Sequence, residues 1–129
     1  MLTDIELYAV IPAGDLGRAR EYYRDKLGLE VTEETPGGLV YRMASGAAFL
    51  LYETANAGTA RNTQMCWATP DIEAEMAELR GRGVVFEEYD VPGLKTVNGV
   101  ATMDGERGAW FIDSEGNILC LSEQTASGA

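Results

Sequence analysis

Short runs of β-branched and aromatic residues alternate along this chain with two stretches whose apolar positions recur every three or four residues. Leu16, Ala19, Tyr23 and Leu27 form one helical stripe, and Ile72, Met76 and Leu79 form another. Each stripe is a single face to bury. Asp15 and Asp71 stand where the helices start and can accept orphan backbone N–H bonds. Gly28 and Gly83 stand just past the ends, where a left-handed C′ residue closes a helix. The pattern predicts helices over 15–27 and 71–82. A strand-like run precedes each helix, at 5–11 and 64–69. Three strands are expected after each helix: 29–33, 38–43 and 47–53 in the first half. In the second half they fall at 84–89, 99–103 with a continuation to 112, and 118–122. The chain therefore reads twice as β-α-β-β-β, with residues 56–62 as a linker containing Gly and Ala.

A half of about sixty residues is marginal by itself, so the two should pack together. The expectation is one domain over 1–129, with modules at about 1–55 and 63–124 and a small polar tail at 125–129 that frays. With 129 residues, 46% of them hydrophobic, the chain can bury a core, and 24% charged residues argue against disorder. There are 21 acidic against 10 basic side chains, a formal net charge of -11. Such a surface repels phosphate backbones and steers cationic ligands inward, besides keeping a protein soluble. No nucleic-acid partner is expected. The two cysteines, Cys66 and Cys120, lie inside apolar runs and make no disulfide framework, which fits a reducing cytoplasm. The start of the chain has no signal pattern, and no stretch approaches the ~20 apolar residues of a membrane helix, so a cytoplasmic protein without membrane contact is expected.

From Trp110 to Leu121 the chain reads as a strand, an Asp-x-x-Gly-Asn turn at Asp113 to Asn117, and a second strand. Earlier markers are Asp15-Leu16 with Tyr22-Tyr23 and Leu27-Gly28-Leu29, then Asp71-Ile72 with Leu79-Arg80 and Gly83-Val84. Their order and the repeat resemble the vicinal oxygen chelate superfamily, which includes glyoxalase I, bleomycin-resistance proteins and extradiol dioxygenases. The resemblance implies an α+β fold of two tandem βαβββ modules forming a cupped mixed sheet. It also implies a homodimer.

In metal-dependent relatives each module supplies one ligand from its first strand and one from its last. The first lies seven residues before the helix-capping Asp, which here reaches Tyr8 and Gln64. The last-strand positions fall on Cys120 and, if Glu53-Thr54 corresponds to Glu123-Gln124, near Leu50. Divalent metals in such sites require imidazole or carboxylate, and the chain has no histidine. Leu50 cannot ligate, and Tyr8 would first have to lose its phenolic proton. A one-residue shift brings Glu53 inward, yet one carboxylate with Gln and Cys is still a poor site. No metal and no cofactor are expected.

What is left is an apolar, lightly polar interior. Strand alternation places Tyr8, Val10, Gln64, Cys66 and Cys120 on the concave face, with Leu50 in the quartet. Trp110, Met103 and Ile112 are further lining candidates. The plain alternative for each is core filling. Cys120 as a nucleophile needs a base or cation to lower its pKa, and no histidine is there to serve, so a buried inert thiol is expected. Tyr8 and Glu53 can carry protons, but no paired catalytic constellation stands out. The acidic run 87–90 reads as a strand end and loop, and 104–108 as a polar turn. The reading is a metal-independent binding protein for a flat, apolar or cationic small molecule, similar to the antibiotic-sequestering members. The alternatives are a metal-free lyase, isomerase or oxygenase on the same fold, and then a glyoxalase-like metalloenzyme with ligands elsewhere. Ligand identity and catalytic residues are not legible.

Overall fold

The computed structural model describes residues 1–124, so the tail expected to fray lies outside the described residues. The chain divides into two compact units. One comprises Met1–Thr59 with Ser114–Asn117, and the other residues 60–113 with the segment that begins at Ile118. No described helix is long and apolar enough to cross a membrane.

The first unit opens on a short 3-10 turn, Leu2–Asp4, and continues β1 (Tyr8–Ala13), α1 (Leu16–Asp25), β2 (Glu33–Thr35), β3 (Gly38–Arg42) and β4 (Ala48–Glu53). Its sheet has the order β1-β4-β3-β2, with β1 parallel to β4 and the other pairs antiparallel. A parallel pair needs a crossover, and α1 supplies it. Alternate residues Ile11, Ala13, Leu39, Tyr41, Phe49 and Leu51 are buried, together with Ala19 and Tyr23 of α1. Tyr41 stacks on Phe49 with centroids 4.9 Å apart, and Tyr23 lies 5.6 Å from Tyr41.

The start of α1 is closed from two sides. Asp15 Oδ1 accepts the N–H of Arg18 at 3.0 Å, the cap expected from sequence. Glu115, whose side chain has no exposed surface, accepts the N–H of Gly14 at 2.9 Å and of Asp15 at 3.0 Å. Arg18 Nε and Nη2 each donate to the same carboxylate at 2.8 Å. These bonds, Arg18 first, hold the Glu115 carboxyl down at about 2 although burial opposes them, with Ser114 and the Asp15 N–H adding to the effect. A fixed anion at the positive end of a helix dipole gains from both charge and hydrogen bonding.

The second unit runs β5 (Thr63–Ala68), α2 (Ile72–Gly81), β6 (Asp90–Val91), β7 (Leu94–Lys95), β8 (Ala101–Met103), β9 (Glu106–Ile112) and β10 (Ile118–Gln124). Its main sheet repeats the first: β5-β10-β9-β8, with β5 parallel to β10. Strands β6 and β7 form a separate small hairpin. Ile72, Met76 and Leu79 of α2 are buried, as are Phe86, Phe111, Leu119 and Leu121. Asp71 Oδ1 caps at the Ala74 N–H, 3.1 Å away. At the far end Gly83 has φ +96, and the bonds Gly83 N–H to Arg80 O and Val84 N–H to Leu79 O close a Schellman motif. Glu123 accepts the Ile72 N–H at 2.7 Å and both Nε and Nη2 of Arg107. In the first unit Glu53 accepts the Leu16 N–H at 3.3 Å. The repeat thus extends to a last-strand glutamate on the first N–H of each helix, in agreement with the Glu53/Glu123 alignment.

Four strand expectations differ from the structure, the first at 5–11, where the strand runs Tyr8–Ala13. Residues 29–32 are not in a strand, because the Leu29 N–H is bonded to Tyr23 O at 2.9 Å in closing α1. Residues 84–89 are joined to the sheet only by a bridge between Phe86 and Phe111. There Glu88 Oε1 accepts from Thr96 Oγ1 and the Gly99 N–H, each at 2.6 Å, so its carboxylate braces a loop. Residues 99–112 form no single strand: a turn at Asp104 separates β8 from β9, and the two pair antiparallel.

Two predictions come from this core. A carboxylate with a folded pKa below its unfolded value stabilises the fold above that value and loses the contribution as it protonates. Glu115 should therefore cost stability as pH falls from about 4.5 to about 2. Glu115→Gln should lose about 2 kcal/mol at neutral pH and flatten the acid limb. Urea unfolding at several pH values checks this, and an unchanged acid limb refutes it. The Tyr41 hydroxyl is buried without a hydrogen-bond partner, and burial raises its pKa. Tyr41→Phe should therefore leave stability unchanged or raise it by up to about 1 kcal/mol, while a clear loss in thermal melting would show that the hydroxyl is satisfied.

Candidate functional site

Each sheet carries a helix on one face and leaves the other open. On the first, strand alternation puts Tyr8 and Val10 of β1 on the open face, 52% and 51% exposed. Register pairs Val10 with Leu50 and Leu50 with Val40, and it pairs Tyr8 with Ala48. Tyr8, Val40, Ala48 and Leu50, with Glu6, Glu33, Thr35 and Arg42, line a cavity of about 210 Å³, and Val10 shares the face without lining it. Its floor is apolar. Its charged lining is two carboxylates, Glu6 and Glu33, and one guanidinium, and Arg42 Nη2 is 3.0 Å from Glu6 Oε1. A cavity of this size accepts a fragment or one end of a larger flat molecule.

On the second sheet the corresponding row is Cys66, Cys120 and Trp110, paired across β5, β10 and β9. Leu50 and Cys120 thus hold equivalent places, as do Val10 and Cys66, which agrees with the register inferred from the repeat. Trp110 is half-buried, with its Nε1 donating to Thr63 Oγ1 at 3.1 Å and Tyr89 edge-on at 5.8 Å. Its ring lies over Gly108, where any Cβ would come within 3.1 Å of the indole, so glycine makes the room. Met103, paired with Glu106, stands at the outer end of this sheet and is 45% exposed. Ile112 pairs with Ile118.

Gln64 sits at a bulge where the β5–β10 register shifts between Ile118 and Leu119. Its Oε1 accepts the Ile118 N–H at 3.2 Å, replacing the missing ladder bond. That oxygen is therefore a structural acceptor. Leu50 offers no donor atom, and Cys120 is 7% exposed with its S–H directed at Leu121 O. Among the described residues no three His, Cys, Asp or Glu side chains gather as a metal site. The donors at the four positions do not fit the divalent metal of the metal-dependent relatives.

The two thiols differ sharply. Cys66 is exposed and Cys120 buried beside it. The adjacent Cys120 thiol lowers the Cys66 pKa to about 6, with the Ser122 hydroxyl adding to it against burial and the charge of Glu106. The neighbouring Cys66 sulfur and burial push Cys120 up. Only parallel pairing of β5 with β10 brings the two thiols together, and nothing in the local sequence pattern signals it. Arg42, Glu33, Val40 and Tyr89 were also missed. Alternation signalled Val40, whereas the charged residues carried no pattern distinguishing them from a solvated surface.

A larger cleft of about 340 Å³ is lined by Glu73, Lys95, Val97, Val100, Thr102 and Arg107. Arg107 there is already held by Glu123 at 2.9 Å and Glu73 at 3.1 Å. Its guanidinium is thus already paired, so the open sheet faces are the better candidates.

Similar structures share the whole architecture. UcmS2 superposes with a TM-score of 0.71 at 19% identity, over 92% of this chain and 97% of that one. TnmS3, an antibiotic binding protein from Streptomyces sp. CB03234, gives 0.63 at 20% identity over 94% and 98%. Lactoylglutathione lyase from Agrobacterium tumefaciens gives 0.63 at 19% over 92% of each chain. These likenesses establish the fold and leave the ligand open. No curated protein matches the chain by sequence. Residues 7–128 match the Glyoxalase/Bleomycin resistance protein/Dioxygenase superfamily, and the chain belongs to it.

Proposed function

We propose that this protein binds a flat, apolar or cationic small molecule without a metal, in the manner of an antibiotic-sequestering member of its superfamily. The observation that carries the reading is the open face of the first sheet. Where metal-dependent relatives place a ligand, Leu50 supplies only hydrocarbon, and the surrounding floor of Tyr8, Val40 and Ala48 is apolar beneath Glu6 and Glu33. Burial of ligand surface supplies the affinity, and the carboxylates favour a positive charge. Tyr8 is the aromatic surface this cavity offers for stacking, and Trp110 is the one on the open face of the second sheet. Sequestration requires affinity and capacity, with no nucleophile or base. The likeness to TnmS3 is consistent with this reading. The proposal includes a cytoplasmic homodimer that binds no nucleic acid, checked by light scattering and gel shift.

Metal content tests the first half. Purified protein should hold far less than one Ni, Zn, Fe or Mn per chain by elemental analysis. One equivalent per chain, lost in Gln64→Ala, would refute metal independence.

Binding tests the second half. In a thermal-shift screen of polycyclic and cationic drugs, hits should raise the melting temperature in step with ligand excess over Kd. Tyr8→Ala should weaken binding at the first-sheet cavity. Glu33→Gln should weaken cationic hits a few-fold at low salt and leave neutral ones unchanged, since an exposed charge contributes about 0.2–1 kcal/mol. If all hits are anionic and insensitive to salt, the charge argument is wrong and an enzyme for acidic metabolites is the better reading.

A further inference from the structure

We propose that Cys66 and Cys120 form a redox-active dithiol, in which exposed Cys66 attacks a low-molecular-weight disulfide and buried Cys120 resolves the adduct into a bridge between β5 and β10. The two residues are direct register partners on parallel strands, so their side chains leave the sheet on the same face. Neighbouring strands lie about 4.8 Å apart. That falls within the roughly 4.4–6.8 Å between Cα atoms that a disulfide spans. The exposure gradient sets the order of events, since an incoming molecule reaches Cys66 before Cys120. Donors assist it: Cys120 lies alongside, and Ser122, two residues on along β10, shares that face. The charged group facing Cys66 is Glu106 of β9, which opposes the thiolate without cancelling these donors. In the first sheet the equivalent pair is Val10 and Leu50, so the device belongs to one half of the repeat alone.

The chemistry balances with the disulfide as oxidant. The Cys66 thiolate forms a bond to one sulfur of the reagent, the reagent S–S bond breaks, and the departing thiolate takes a proton from solvent. Cys120 then gives its proton to solvent and attacks the Cys66 sulfur. The second thiolate leaves, and the protein has lost two hydrogens as two small thiols form. Closing the bridge removes the thiol from the open face and ties the edge strand β5 to its neighbour.

The test treats reduced protein with a bis(nitrobenzoate) disulfide whose released thiolate is coloured. Cys66 and Cys120 are the sole cysteines, so the count is unambiguous. Wild-type protein should release two coloured equivalents per chain, carry no adduct, weigh two hydrogens less and yield a Cys66–Cys120 linked peptide. Cys120→Ser should release one equivalent and keep a mixed disulfide on Cys66. Cys66→Ser should react at least about tenfold more slowly. The proposal is overturned if wild-type protein retains the adduct, bridges between chains, or reacts no faster than Cys66→Ser. Wild-type stoichiometry decides the matter even if a variant folds poorly. No ligand is involved, so failure of the binding screen leaves this result untouched.

Discussion

Each βαβββ module has four main-sheet strands but a single ten-residue helix, and such a helix covers only one face of a sheet. Everything else follows from that shortage. The helix-side positions become the core: Ile11, Tyr41, Phe49 and Leu51 in one unit, Phe111, Leu119 and Leu121 in the other. The opposite positions are left to meet something other than helix. On the first sheet they are mainly apolar, with Tyr8 and Val10 about half exposed. A sheet face of this composition, beneath two carboxylates, is suited to holding a small organic molecule.

The first and last strands of each module are parallel neighbours, so the helix must start close to the end of the last strand. That geometry brings a strand-end glutamate to the helix N-terminus twice, Glu53 at Leu16 and Glu123 at Ile72. Glu115 adds a third carboxylate at Gly14 and Asp15, and Glu88 a fourth in the 88–99 loop. Much of the acidic surplus is thus structural. These groups anchor backbone N–H bonds and pair with Arg18 and Arg107. The carboxylates of Glu6, paired with Arg42, and Glu33 lie beside the apolar cavity.

The same parallel pairing makes the chemistry of the second sheet. Cys66 and Cys120 are far apart along the chain and become immediate neighbours when β5 lies beside β10. One remains at the surface and the other goes inside. Gln64 shows a related effect: a bulge turns an apparent ligand position into an acceptor for the Ile118 N–H. That amide oxygen completes a broken ladder, which fixes it in a structural role.

By itself the sequence determined the two helices, their Asp caps, their Gly ends, the repeat and the equivalence of Leu50 with Cys120. Each rests on local periodicity or on backbone preferences that act within a few residues. It also excluded a histidine-based metal site by composition alone. Tertiary structure decided the rest. Leu29 went to the closure of α1, and 84–89 lost its ladder to the Glu88 brace, because hydrogen bonds available only in the folded chain outweighed β propensity. Glu115 found Arg18 across 97 residues, and Cys66 found Cys120 through strand pairing. Such partners have no signature at short range: their energy comes from burial and alignment, which exist only once distant segments are brought side by side.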